Sequence, residues 1–197
     1  MILIILILSL ASFVKGNVKF VRNGGKTAVP CGDSVANACA SVSLALTGLT
    51  ATQTTVDIGD GSFVGATTIA TAGADVTVRG AGSSKTVLEA SAEKCVAVSG
   101  GASLTLEGVT IRNSAIGLEL QNAGNVTVRS CIFARNDRGV VSTSMFAAQL
   151  LVSETLFTEN NFHDDNGHGR GIDFQSSQAN LTVVDSAFTS NKYFSKC

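Results

Sequence analysis

Apolar residues recur along this chain in short alternating triplets that stop and then return in the same frame. Leu104-Thr105-Leu106, Val126-Thr127-Val128 and Leu181-Thr182-Val183 share one form, and Leu150-Leu151-Val152 is a variant of it. Seven residues after the first apolar position of each stands Ile111, Phe133, Phe157 or Phe188, and three residues after each of these Phe residues stands an Asn: Asn136, Asn160 and Asn191. Gly117-Leu118 and Gly139-Val140 follow six residues after Ile111 and Phe133, whereas the equivalent Gly171-Ile172 arrives eight residues late. The spacing from copy to copy is therefore 22, 24 and then 31 residues. A fixed unit joined by elastic turns is the signature of a solenoid.

Alternation with a period of two assigns strands and their faces. One coil reads as three short strands. In the first, the residues flanking the central Thr or Leu point inward. In the second, the Phe and the residue two before it (Val109, Cys131, Thr155 or Ser186) point inward. In the third, the inward residues are Leu118 and Leu120, Val140, or Ile172 and Phe174. Like residues of successive coils, about 4.8 Å apart, then stack into ladders. The ladder residues are Phe133, Phe157 and Phe188 and, at the bend beside them, Asn136, Asn160 and Asn191, which are expected to take the unusual backbone angles of the bend and whose side chains can bond the backbone or the amide of the next coil. Earlier in the chain, Val56-Asp57-Ile58, Ser62-Phe63-Val64, Val76-Thr77-Val78, Thr86-Val87-Leu88 and Cys95-Val96-Ala97-Val98 join the same frame.

Two segments depart from the strand pattern. Residues 34–47 carry apolar residues at Val35, Cys39, Val42 and Leu46, which predicts a helix with Asp33 or Ser34 as N-cap, a cover for the first coil. The domain organisation expected is thus a cap segment over 17–53 and a β-solenoid of about five to six coils over 54–197. The chain stops at Lys196-Cys197 within a coil, where a further coil or a partner is expected. Residues 1–16, a run of Ile and Leu closed by Ala11-Ser12-Phe13-Val14-Lys15-Gly16, are too short to span a bilayer comfortably and read as a secretory signal peptide. No transmembrane segment is expected in the mature chain.

Composition favours a strand-rich fold and excludes some partners. Only 15% of the 197 residues are charged and the net charge is −1, so no basic cluster is available for nucleic acid. Of the five cysteines, Cys31 and Cys39 are the pair expected to form a disulfide in an oxidising compartment, and the lack of a C-x-x-C pair argues against zinc. Asn125-Val126-Thr127 and Asn180-Leu181-Thr182 are glycosylation sequons at turns before a repeat strand.

The phrase Val76-Thr77-Val78-Arg79-Gly80-Ala81-Gly82 through Leu88 resembles the strand-turn-strand common near the start of pectin-lyase-like right-handed parallel β-helices. The Phe-x-x-Asn phrases, with Gly169-Arg170-Gly171-Ile172, are similar to the repeats of the chlamydial polymorphic membrane proteins and of exported β-helix proteins of protists. The resemblance covers about residues 54–194. It implies an all-β, right-handed parallel β-helix, displayed at a cell surface or secreted, to which the spacing over 34–47 adds a short N-terminal capping helix. In such a chain, adhesion or contact with a polysaccharide or cell-surface protein is expected rather than catalysis. The fold also carries polysaccharide lyases and hydrolases, which is the alternative.

An enzyme of this kind would set acids on neighbouring coils. The outward column Thr105, Thr127, Leu151 and Thr182 has no charge. The third strands offer Glu119, Val141 and Asp173, with two acids about 9.6 Å apart across a whole coil. The sharper candidate is the insertion Asn161–Arg170, which holds His163, Asp164, Asp165, His168 and Arg170. His163, Asp164, Asp165 and His168 could bind a ligand. No cofactor is expected, calcium being the ion such a set leaves open. The catalytic candidates, should the chain be an enzyme, are His168, Asp165, Asp164 and Arg170. Asp164-Asp165 and Gly167-His168-Gly169 resemble two polygalacturonase strings, but that family holds them about a full turn apart and adds an Asn-Thr-Asp string missing here, so the match is rejected. Arg79 could recognise a sugar acid or support its turn.

Overall fold

The computed structural model describes residues 17–50, 52–91, 93–143, 149–160, 169–175, 180–191 and 193–196. The predicted leader, residues 1–16, lies outside them.

A strand β1 (Asn17–Lys26) precedes six coils of three strands each. The coils run β2 (Gln53–Ile58), β3 (Gly61–Val64), β4 (Thr67–Ile69); β5 (Asp75–Gly80), β6 (Thr86–Glu89), β7 (Lys94–Ser99); β8 (Ser103–Glu107), β9 (Thr110–Arg112), β10 (Ile116–Gln121); β11 (Val126–Arg129), β12 (Ile132–Ala134), β13 (Arg138–Ser142); β14 (Gln149–Ser153), β15 (Leu156–Thr158), β16 (Arg170–Phe174); and β17 (Asn180–Val184), β18 (Ala187–Thr189), β19 (Tyr193–Lys196). Each strand pairs in parallel with its equivalent in the next coil. Three sheets result: a first of seven strands (β1-β2-β5-β8-β11-β14-β17), a second of six (β3-β6-β9-β12-β15-β18) and a third of six (β4-β7-β10-β13-β16-β19). This is the parallel β-helix that the repeat implied.

Register converts the sequence repeat into columns. Phe63, Leu88, Ile111, Phe133, Phe157 and Phe188 face one another through the second sheet. Phe133 and Phe157 are fully buried. Their rings stack at 5.1 Å and 10°, and Phe157 stacks on Phe188 at 4.7 Å and 5°. The glycine near the start of the third strand in these coils, Gly117, Gly139 or Gly171, is explained by this ladder. A Cβ on Gly117 would lie 2.8 Å from Cδ1 of Phe133, and one on Gly171 would lie 2.7 Å from Cδ1 of Phe188. Only a residue without a side chain lets the third strand close over the stacked rings.

The bend beside the rings is held by side-chain amides. Asn136 donates from Nδ2 to the Ile111 carbonyl (3.1 Å) and to Oδ1 of Asn160 (3.0 Å), and that same Oδ1 accepts the Asn136 backbone N–H (3.3 Å). Asn160 repeats the scheme with the Phe133 carbonyl (2.9 Å) and Asn191 Oδ1 (2.9 Å from Nδ2, 3.0 Å from N). The left-handed backbone at this bend belongs to the residue before the Asn: Arg135 (φ 55°), Glu159 (φ 52°) and Ser190 (φ 55°), with Asn113 (φ 54°) one coil earlier. The Asn therefore does not supply the unusual φ. It satisfies the backbone groups that the bend would otherwise strand.

A second polar ladder runs along the opposite corner, at the position two before each Phe. The Cys131 N–H donates to Thr155 Oγ1 (3.4 Å) and the Thr155 N–H to Ser186 Oγ (3.2 Å). Thr155 Oγ1 in turn donates to the Ser153 carbonyl (2.8 Å), and Ser186 Oγ to that of Val184 (2.7 Å). Preceding residues Ser130, Glu154 and Asp185 again hold positive φ.

The N-terminal cap differs from the single helix expected over 34–47. It consists of a 3-10 turn at Val35–Asn37, capped by Ser34 Oγ, and a one-turn helix α1 (Val42–Ala45), capped by Ser41 Oγ, each accepting a backbone N–H at 3.2 Å. Cys39 interrupts the helical spacing because it is bonded to Cys31 and bridges to Val21 and Lys26 on β1. Ala38 and Ser41 are consequently extended. Val42, Ala45 and Leu46 still bury against the first coil.

Candidate functional site

The outer face of the first sheet runs across seven strands, one more than either of the other sheets. One outward column runs Thr55, Thr77, Thr105, Thr127, Leu151 and Thr182 in unbroken register, and Val18 extends it onto β1. A second runs Asp57, Arg79, Glu107 and Arg129, continuing to Ser153 and Val184. Its charges are paired along the column. Arg79 donates from Nε and Nη2 to the two carboxylate oxygens of Asp57 (3.0 and 3.2 Å), and Arg129 meets Glu107 at 2.7 Å. The hydrogen bond and charge of Asp57 hold the Arg79 guanidinium above its usual range. Arg79 thus has a protein partner and stands outward on a strand rather than inside the turn. Exposed Asn125 and Asn180 stand at the edge of this face, beside the starts of β11 and β17.

A carboxylate at the corner between the second and third sheets is also fully engaged. Burial alone would raise the Glu89 carboxyl, but hydrogen bonds from Arg112, Ser62 and Asn113, with the Arg112 charge, outweigh it and hold the group below its usual range.

The two acids of the third strands fall in one column, with Val141 between them: Glu119, Val141 and Asp173 are in register on β10, β13 and β16. Both are buried, Glu119 at 5% and Asp173 at 4% exposure. Each has a cation of its own. Lys94 Nζ lies 2.6 Å from Glu119 Oε2, and Arg170 Nη1 lies 2.6 Å from Asp173 Oδ1, which also accepts from Gln175 Nε2 at 3.1 Å. Arg170, singled out from the sequence with the insertion, is thereby placed on β16 as the partner of Asp173. His163, Asp164, Asp165 and His168 lie outside the described residues.

Cys31 and Cys39 form a disulfide, and Cys95 and Cys131 are buried free thiols. Burial pushes the Cys95 thiol up to about 12 against a smaller opposing hydrogen bond with Ser114, and pushes Cys131 up to about 11 against backbone hydrogen bonds. A raised pKa keeps both protonated and unreactive at neutral pH. A Cys197→Ser variant is accordingly expected to show no thiol accessible to a chromogenic thiol reagent while folded, and two after unfolding in denaturant. Labelling of the folded chain at either position would place that cysteine outside the core.

The polar ladder of Cys131, Thr155 and Ser186 and the ion pairs Lys94–Glu119 and Arg170–Asp173 escaped the sequence reading. The first had a signal, since small polar residues recur two before each Phe. The second had none, because the partners come from different coils or from a bulged strand.

Among the described residues no helix is long and apolar enough to cross a membrane. No curated protein and no solved structure matches the chain. A family model described as a right-handed β-helix region matches residues 59–196, well over half of the sequence and nearly all of the six coils. With the three parallel sheets and the stacked coils already in place, this match identifies the chain as a member of the right-handed β-helix family.

Proposed function

We propose that this protein is a secreted or cell-surface β-helix scaffold whose first sheet contacts carbohydrate, and that it does so without catalysis. The observation that carries this reading is the outward column from Thr55 to Thr182, which repeats a hydroxyl at nearly every coil along the whole solenoid. Hydroxyls both donate and accept, so a row of them about 4.8 Å apart suits a hydroxylated polymer lying along the axis. The flanking charges are paired with one another, which favours a neutral polymer over a strongly acidic one. The similarity of the Phe-x-x-Asn repeats to those of polymorphic membrane proteins, together with the leader-like residues 1–16, supports export and adhesion. The ion pairs that occupy Glu119 and Asp173 leave neither acid free for general acid or base work in this arrangement.

The test uses the protein exported from a eukaryotic host and presented to neutral glycans and polyuronides, with and without calcium. Retention on neutral glycans with no release of product, and a mature chain beginning near Asn17, is the expected result. Cleavage that disappears in His168→Ala or Asp165→Ala would replace this reading with that of a polysaccharide lyase or hydrolase.

A further inference from the structure

The outer face of the third sheet carries a column of strand-start residues, Lys94, Ile116, Arg138 and Arg170, in register across β7, β10, β13 and β16. Beside it runs the column that holds Glu119, Val141 and Asp173. Two of the three cations are matched there, Lys94 by Glu119 and Arg170 by Asp173, both at 2.6 Å. Val141 stands in the coil of Arg138 as Ala97 stands in that of Lys94, but Lys94 takes its acid from the next coil, whereas the next-coil acid for Arg138, Asp173, is held by Arg170. Among the described residues the half-buried guanidinium of Arg138 has no carboxylate or carbonyl partner.

Arg138 lines a cavity of about 320 Å³ together with Glu93, Lys94, Ala115 and Ile116. That volume lies in the range of small-molecule sites. Three successive coils build its walls and are fixed by backbone bonds, Ala115 N–H to the Glu93 carbonyl at 3.0 Å and Arg138 N–H to the Ala115 carbonyl at 3.1 Å. Buried Ile116, at 6% exposure, and Ala115 make the apolar wall. Since Glu119 already neutralises Lys94, the charges left for a ligand are one cation, Arg138, and one anion, Glu93, on either side of that wall.

We propose that this cavity binds a small carboxylate ligand that also carries a hydrogen-bond donor. Its carboxylate takes the planar fork of Arg138, which completes the interrupted row of ion pairs. Its hydroxyl or ammonium group donates to the Glu93 carboxylate, and its carbon skeleton rests on Ile116 and Ala115. Hydroxy acids and α-amino acids share this chemistry. The site is separate from the first-sheet face, so it stands or falls independently of carbohydrate contact there.

Calorimetric titration of the full chain with lactate and gluconate, and separately with alanine and leucine, tests it, with glucose and lactate methyl ester as ligands lacking the carboxylate. Saturable binding is expected for at least one carboxylate series and for neither control. Arg138→Gln is expected to weaken it at least about tenfold, with partial recovery in Arg138→Lys. Glu93→Gln, which removes the anion but keeps an acceptor, weakens an amino acid more than a hydroxy acid and so tells the two sources apart. Unchanged circular dichroism of the Gln variants shows that the fold is intact. No heat from either series up to about 10 mM, or equal binding by Arg138→Gln, would overturn the proposal.

Discussion

Phe157→Ala is expected to cost about 3–5 kcal/mol of stability, read from the midpoint and slope of urea unfolding. The ring is fully buried and stacked on both sides, against Phe133 at 5.1 Å and Phe188 at 4.7 Å. Removing it loses both contacts and the transfer free energy of the ring. The space left cannot close by simple collapse, because the strands above and below are held in register by parallel ladders on three sheets. Gly139 and Gly171, already without side chains, have no atoms to lend to the gap. A change below about 0.5 kcal/mol would remove Phe157 from the stack.

Asn160→Leu is the second large effect, and it separates hydrogen bonding from volume. Leu is close to Asn in size but can accept nothing from Asn136 and donate nothing to Phe133. The substitution strands the Asn136 backbone N–H and removes the side-chain donor to the Phe133 carbonyl at a site where Asn160 is fully buried, whereas Asn191 Oδ1 keeps the backbone N–H of residue 160. Each buried unsatisfied group costs about 1–3 kcal/mol, so for these two a loss of at least about 2 kcal/mol is expected in the same unfolding experiment. A neutral result would mean that the bend is held by the strands alone.

The coil was legible because its strands are short and its inward positions recur in a fixed frame, so Leu104, Val126, Leu150 and Leu181 align in the sequence alone. The offset from Phe157 to Gly171 marked an insertion and left the flanking strands in phase, as β15 and β16 show. The cap was read less well. Helical spacing at Val35, Cys39, Val42 and Leu46 is a weak signal over so few turns, and the disulfide at Cys39 with its bridges to β1 overrides it. The bend chemistry was legible in kind but not in place. Arg135, Glu159 and Ser190 carry the positive φ, and nothing about those residue types announces it.

For the candidate site the limits are different. Register shows at once that Glu119 and Asp173 share a column, but whether an acid is free depends on cations such as Lys94, one coil away, whose reach no spacing rule encodes. Arg138 went unnoticed for the same reason. Its singularity lies in Val141 standing in its own coil while Arg170 holds Asp173 of the next, a difference that becomes visible only when β10, β13 and β16 are laid side by side.

In the proposed function, contact is made by the outer face of the first sheet rather than by the insertion after Phe157. Retention on the neutral glycan that binds best should therefore be compared for three proteins: the unaltered chain, a Thr105→Lys/Thr127→Lys variant, and one whose residues 161–168 are replaced by Gly and Ser. Both threonines are partly exposed on the outer face, so lysine is accommodated there without disturbing the core. The account predicts at least about a tenfold loss of affinity for the threonine variant and retention by the loop variant. Loss in the loop variant with full retention in the threonine variant would contradict it.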